Sequence, residues 1–268
     1  MSLILVVVLF LAALVASFFG IGGGVLYTPI QLWLGVPFNE AASTSLLLIL
    51  ITSFSATTVF RHEHRVDWKL AFMLEIPTTA GAFTGGILSG FFSSNLLTGI
   101  LIFLLLVSAF LMIRPPVKQY ALCGIRDAGR KSILMWKREW NGSVYYLNLA
   151  CVFPIMFLVG TTISIVGISG GVVKIPIMVL LFGIPMPIAI GSSAFMVGLT
   201  ALAGLLGHAS IGHVNWHTAL LLALPVFIGA QIGSRVSVHI KTRNIKHLYG
   251  WFLVLIAVIT FLRVWKFI

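Results

Sequence analysis

Apolar runs of bilayer-crossing length recur from one end of this 268-residue chain to the other. A helix needs about 20 apolar residues to cross the hydrocarbon core. Eight stretches qualify: 3–19, 41–60, 70–91, 96–113, 144–166, 189–207, 217–234 and 248–265. Two shorter apolar pieces, 25–36 and 172–186, leave open whether they cross fully or only part-way. With 59% hydrophobic and only 9% charged residues, the chain would expose far too apolar a surface as a soluble domain. The expected class is an all-α polytopic membrane protein. The first run has no basic flank before it and no small-residue cleavage site after it, so a removable signal peptide is not expected.

The runs are punctuated twice in the same way. Gly20-Ile21-Gly22-Gly23-Gly24-Val25, followed by Pro29-Ile30, returns 147 residues later as Gly167-Ile168-Ser169-Gly170-Gly171-Val172, followed by Pro176-Ile177. One inserted residue then shifts the offset to 148. Gly35, Pro37, Ala41 and Ser45 match Gly183, Pro185, Ala189 and Ser193. Val66-Asp67-Trp68 matches Val214-Asn215-Trp216, Pro77 matches Pro225, and Gly81, Ala82 and Gly85 match Gly229, Ala230 and Gly233. Two repeats, 1–113 and 144–268, thus flank a basic linker, 114–143. Gly- and Pro-interrupted apolar segments at corresponding places in two halves point to a substrate site at a repeat interface in a transporter.

A net charge of +11 would suggest nucleic acid in a soluble chain; here it marks topology, because Lys and Arg collect in cytoplasmic loops. Seven of the 17 lie in 114–143, three in 61–69, four in 235–247 and two after 262, with Lys174 alone. Eight spans with parallel halves divide them twelve against four. Five crossings per half, with the second half inverted, divide them fourteen against two. The inverted arrangement fits the rule better, with the linker inside and the loop at 208–216 outside. The linker opens with Arg114-Pro115-Pro116, which ends a helix, and mixes basic residues with aromatic anchors. That composition suits a segment lying on an anionic leaflet; a regulatory or partner-binding arm is the alternative.

Each Gly cluster breaks or bends a helix and leaves a new helix N-terminus, near Val25 and Val172. Irregular backbone at membrane depth survives only where it is buried in protein or lines a wet cavity. Free N–H groups and the helix dipole at such an end attract anions. Gly22, Gly23 and Gly24, with Ser169, Gly170 and Gly171, are therefore candidate substrate-binding positions. The structural alternative is that these glycines only let helices pack closely. A hydroxyl cluster is also shared: Ser43, Thr44 and Ser45 correspond to Gly191, Ser192 and Ser193. Such residues at the start of a helix can cap it, or they can donate to a bound anion. Thr52 and Thr200, seven residues after Ser45 and Ser193, fall on the same helical faces.

The Gly-cluster-to-Pro segment, the Ala-x-x-x-Ser entry to the next helix, the Val-(Asp/Asn)-Trp loop and the Pro…Gly…Gly helix, in this order and twice over, resemble the sulfite exporter TauE/SafE family. The resemblance covers nearly the whole chain apart from the linker. It implies a transporter of sulfite, sulfoacetate and other sulfur-containing or small organic anions, without fixing which.

Two charges sit inside apolar segments, where ionisable groups are costly and often functional. Lys174 lies one turn after Gly171, where the first repeat has Tyr27. It would strengthen an anion site, or else snorkel to an interface. Glu75 lies six residues after Lys69, about 9 Å along a helix, and is expected to pair with Lys69 or Arg65 or to take part in proton coupling. Glu40 precedes a helix expected near Ala41 and suits its N-terminus. His62 and His64 bracket Glu63, and His213 and His217 have i, i+4 spacing with His208 nearby, but the inverted topology puts the two loops on opposite sides and no His-Glu-x-x-His sequence occurs, so no metal and no cofactor is expected. Cys123 and Cys151 show no metal-ligand spacing, and with the linker on the reducing cytoplasmic side they read as structurally incidental.

These features predict a secondary transporter for a small anion, multi-pass in the cell membrane, working by alternating access. The expected partners are the small anionic substrate, the lipid bilayer and a coupling ion, with no nucleic acid. No nucleotide-binding loop occurs, so the energy would come from an ion gradient or the membrane potential. The alternatives are an intramembrane enzyme of lipid or sulfur metabolism, for which no nucleophile–base pair is evident, and an anion channel.

Overall fold

A computed structural model describes residues 3–36, 38–88, 94–113, 134–140, 142–166, 170–210 and 216–266. The first repeat holds α1 (Leu3–Phe18), α2 (Gly24–Trp33), α3 (Phe38–His62), α4 (Trp68–Leu88) and α5 (Ser94–Ile113). The second holds α6 (Leu149–Val166), α7 (Gly171–Leu180), α8 (Met186–Ser210), α9 (Trp216–His239) and α10 (Thr242–Lys266). Helices thus stand at all eight expected long runs. Among the described residues, three spans, Ser43–His62, Met186–Leu206 and Trp216–His239, are long and apolar enough to cross a membrane. Shorter apolar helices include Leu3–Phe18, Leu149–Ser164 and Asn244–Ile259. The two short pieces become α2 and α7, ten residues each, about 15 Å long at the standard rise. That is roughly half the thickness of a hydrocarbon core.

The linker boundary needs correction. Residues expected to begin a span at 144 instead form β2 (Ser143–Asn148), paired antiparallel with β1 (Met135–Trp140), and the helix starts only at Leu149. The signal was present: Asn141-Gly142 between β-branched and aromatic runs favours a two-residue hairpin. Along β1, Trp136, Arg138 and Trp140 share one face, and the guanidinium of Arg138 lies 5.3 and 5.6 Å from the two indole centroids. Cys151, in α6, is disulfide-bonded, which corrects its reading as structurally incidental.

The helices divide into two compact units, each assembled from both repeats. Unit 1 comprises residues 1–71 and 190–240; unit 2 comprises 72–189 and 241–268. In unit 1, α1 packs on α9 so closely that a Cβ on Gly229 would lie 2.5 Å from the Phe10 carbonyl oxygen, and one on Gly233 would strike that of Leu14. In unit 2, α4 packs on α6 in the same register: Cβ atoms on Gly81 and Gly85 would strike the carbonyl oxygens of Phe157 and Thr161. Phe10 and Leu14 correspond to Phe157 and Thr161 in the repeat. The same contact therefore occurs once in each unit, made each time by helices of different repeats. Small residues at such crossings let membrane helices approach to van der Waals contact.

Each unit buries small and aliphatic side chains, with Leu5, Leu9, Ala12, Ala13, Leu48, Ile49, Leu222 and Val226 in the core of unit 1. The outer faces are also apolar: Ile4, Val7 and Leu11 on α1, and Leu220, Leu224 and Ile228 on α9, are exposed. A helix hydrophobic all round suits lipid rather than water.

The Val66-Asp67-Trp68 turn is held by polar contacts inside unit 1. The carboxylate of Asp67 accepts the Leu70 N–H at 3.2 Å, capping α4, while the Asp67 N–H donates to Ser192 Oγ at 3.1 Å. Arg65 donates to the Val238 carbonyl at 2.7 Å and more weakly to that of Ser237 at the end of α9. Burial pulls its guanidinium below the ordinary value, partly offset by Glu63. Asp67→Ala should cost about 1 kcal/mol through the lost cap. Thermal unfolding in detergent checks this, with Asp67→Asn, the residue the second repeat carries at Asn215, retaining most of the stability.

Candidate functional site

In unit 1 the chain leaves α1 through Gly20, Gly22 and Gly23, all with positive φ. Gly22 (φ 74°) and Gly23 (φ 86°) occupy left-handed backbone that a β-carbon makes costly, about 1–2 kcal/mol per residue. Space is equally restrictive. A Cβ on Gly23 would lie 2.5 Å from the Tyr27 ring, and one on Gly22 would collide with Val197 while standing 3.2 Å from Ser53 Oγ. Helix α2 then begins at Gly24 with no side-chain cap; the Leu26 and Tyr27 N–H groups bond the Gly23 carbonyl, which leaves those of Gly24 and Val25 to meet an acceptor.

Hydroxyls are frequent in the interior of unit 1, and the structure separates those that tie helices together from those left open. Tyr27 Oη and Thr52 Oγ1 share a 2.5 Å hydrogen bond, and Gln31 Nε2 donates to Ser45 Oγ at 2.8 Å. These two contacts fasten α2 to α3. Ser43 donates to the Glu40 carbonyl, Ser192 accepts from Asp67 and Thr200 donates to the Met196 carbonyl. By contrast the hydroxyls of Thr44, Ser53, Thr57, Ser193 and Ser237 are buried in unit 1 without a protein partner. A buried polar group without a partner costs about 1–3 kcal/mol and calls for an explanation. The capping account of the shared Ser/Thr cluster is corrected: α3 starts at Phe38 and α8 at Met186, so Ser43–Ser45 and Ser192–Ser193 lie inside helices. Glu40 falls in the first turn of α3, where the dipole favours it.

In unit 2, Gly170 precedes α7 with helical φ and ψ of −60° and −26°. Lys174 is 1% exposed, and its side chain folds back so that Nζ would lie 3.2 Å from a Cβ on Gly170. The ammonium therefore sits over the N-terminus of α7. It donates to Glu75 Oε2 at 2.7 Å, correcting the expectation that Glu75 pairs with Lys69 or Arg65. Tyr249 Oη, from α10, donates to the carbonyls of Gly171 and Val172 at 3.3 and 3.1 Å and steadies the first turn.

The candidate positions are thus regrouped. Gly22, Gly23, Gly24, Ser43, Thr44, Ser45, Ser192 and Ser193 belong to unit 1, whereas Gly170, Gly171 and Lys174 belong to unit 2. Ser169 lies outside the described residues. Sequence reasoning missed Ser53, Thr57 and Ser237; the run of hydroxyls from Thr52 to Thr58 inside an apolar helix was the available signal. At the end of α3, Thr58, Arg61, His62 and His64 line a surface cleft of about 460 Å³. Among the described residues no group of three His, Cys, Asp or Glu is placed to hold a metal.

With this geometry in view, similarity to known proteins is informative. The sequence profile of the family described as "Sulfite exporter TauE/SafE" matches residues 5–260. The chain is 31% identical to "Probable membrane transporter protein YunE" of Bacillus subtilis, over 96% of each chain. It is 26% identical to a protein of Methanocaldococcus jannaschii also named a "probable membrane transporter protein", over 91% of this chain and 89% of that one. No solved structure matches the chain.

Proposed function

Since the chain belongs to the sulfite exporter TauE/SafE family and is an integral membrane protein, we propose that it is a secondary transporter of a small anion. Sulfite, a sulfonate or a related sulfur-containing or organic anion is the substrate class. The protein is multi-pass in the cell membrane, its two halves are inverted repeats, and transport proceeds by alternating access. The Lys174 ammonium, folded over the start of α7, carries this reading. A buried cation and a helix N-terminus both select for negative charge. In unit 1 the open hydroxyls of Ser53 and Thr44 offer donors beside a second Gly-entered helix.

Transport into proteoliposomes, with a panel of sulfite, thiosulfate, sulfate, sulfoacetate and acetate, tests the proposal. Selective, saturable flux of at least one oxyanion is expected. Correctly folded protein with no anion flux would overturn it. Saturation and counter-transport separate a carrier from a channel.

Ser53→Ala gives a sharper test of the unit 1 hydroxyl. Removing an unpartnered buried hydroxyl should leave stability unchanged or raise it. If that hydroxyl contacts the anion, KM should rise about tenfold, the equivalent of one hydrogen bond near 1.4 kcal/mol. Unchanged KM with raised stability would make Ser53 a packing residue only.

A further inference from the structure

The Glu75–Lys174 pair is a feature that duplication does not explain. Its repeat counterparts are Ala223 and Tyr27. In unit 1 the Tyr27 hydroxyl simply binds Thr52. One copy of the repeat therefore builds this part of the fold with no charge at all, while the other buries an ammonium and a carboxylate at 1% and 5% residue exposure. A buried pair of this kind is seldom more stable than an apolar replacement, so stability alone is a poor reason to have it.

We propose that Glu75 is a proton-binding site coupled to the substrate anion, so that one proton accompanies each anion carried. This rests on the anion-transport reading above. With the site empty, ammonium and carboxylate cancel. An anion arriving at Lys174 adds one negative charge in a poorly polarisable surrounding, a state that is expensive inside a membrane. Uptake of a proton by Glu75 restores neutrality and frees the ammonium to face the anion. Anion and proton binding are therefore coupled, each favouring the other by the same factor. The proton enters from water on the side to which the site is open and leaves to water on the other. The only bond made and broken is the carboxyl O–H.

The ionisable groups on the helices near the pair leave this role to Glu75. Among the described residues, α5 carries no ionisable side chain and α6 only the disulfide-bonded Cys151. From α10, Tyr249 faces α7, with its hydroxyl on the Gly171 and Val172 carbonyls. Lys246 and His247 stand half-buried earlier on the same helix, and Lys69, six residues before Glu75 on α4, is exposed.

The test uses the full-length protein in proteoliposomes, with labelled methanesulfonate as a permanently monovalent probe beside the sulfur oxyanions. A pyranine-type dye reports internal pH, and potassium with valinomycin sets the voltage. For the wild type, a gradient of one pH unit should sustain about a tenfold anion gradient, with internal pH shifting as the monovalent probe moves. Voltage should have no effect on that probe. Glu75→Gln should reverse the pattern: flux ignores the pH gradient, and about 59 mV sustains a tenfold gradient, as for a single charge. A group with a merely structural role would lower flux without changing what drives it. Wild-type flux that follows voltage and leaves internal pH unchanged would overturn the coupling while keeping the transporter. A wild type carrying none of the anions would instead overturn the transport reading. The wild-type measurement is decisive even if Glu75→Gln fails to fold.

Discussion

Gly81→Leu is expected to abolish accumulation of folded protein, and Gly229→Leu to do the same. At both positions a β-carbon would press on backbone, the Phe157 carbonyl in one case and the Phe10 carbonyl, at 2.5 Å, in the other. A side chain in the way could rotate, but a helical carbonyl cannot, because it is committed to its own helix. The cost should therefore exceed the ~1–3 kcal/mol typical of overpacking a core. A loss of even 1–2 kcal/mol changes abundance several-fold. Gly99→Leu supplies the control, since nothing lies within 4 Å of a Cβ there. Monodisperse yield after detergent extraction is the measurement. Normal yield from Gly81→Leu would mean that α4 and α6 do not meet as described.

Lys174→Met should be the most destabilising single change that adds no bulk. It leaves the Glu75 carboxylate buried without the cation 2.7 Å away, and breaking such a pair typically costs about 3–5 kcal/mol. Glu75→Leu should cost a comparable amount for the converse reason. The double variant Lys174→Met/Glu75→Leu should recover most of the loss, because an apolar pair is tolerated where an unpaired charge is not. Strongly non-additive unfolding in detergent is thus expected; simple addition of the two losses would show that the groups are not paired. The recovered double variant should nonetheless carry no anion, which separates folding from transport.

Much of the fold was legible because membrane helices are written in long apolar runs and their interruptions in Gly and Pro. The Gly20–Gly24 break, the short α2 and α7 and the turn at Asp67 all follow from local composition. The Glu75–Lys174 pair was not legible, since it joins residues 99 apart whose nearest charged neighbours in sequence suggested other partners. The division between tying and open hydroxyls was hidden for a related reason. Ser45 and Ser53 look alike along the chain, and only Gln31 reaching one of them distinguishes the two. The β-hairpin was overlooked because hydrophobicity outweighed a two-residue turn signal.

Drawing each unit from both repeats has a consequence for how the chain is made. Unit 1 needs residues 190–240 to join residues 1–71. The ribosome must therefore complete 72–215 before α1 can meet α9, which starts at Trp216. At about 5–20 residues per second, that is a wait of roughly 7–29 s. During that interval the glycine-lined crossing has only half its surfaces, and the hydroxyls of α3 lie in the membrane without the helix that later covers them. Insertion machinery or transient lipid contacts must shelter α1 through α3 until then. Premature termination before α9 should yield an inserted, proteolysis-sensitive fragment rather than half a transporter.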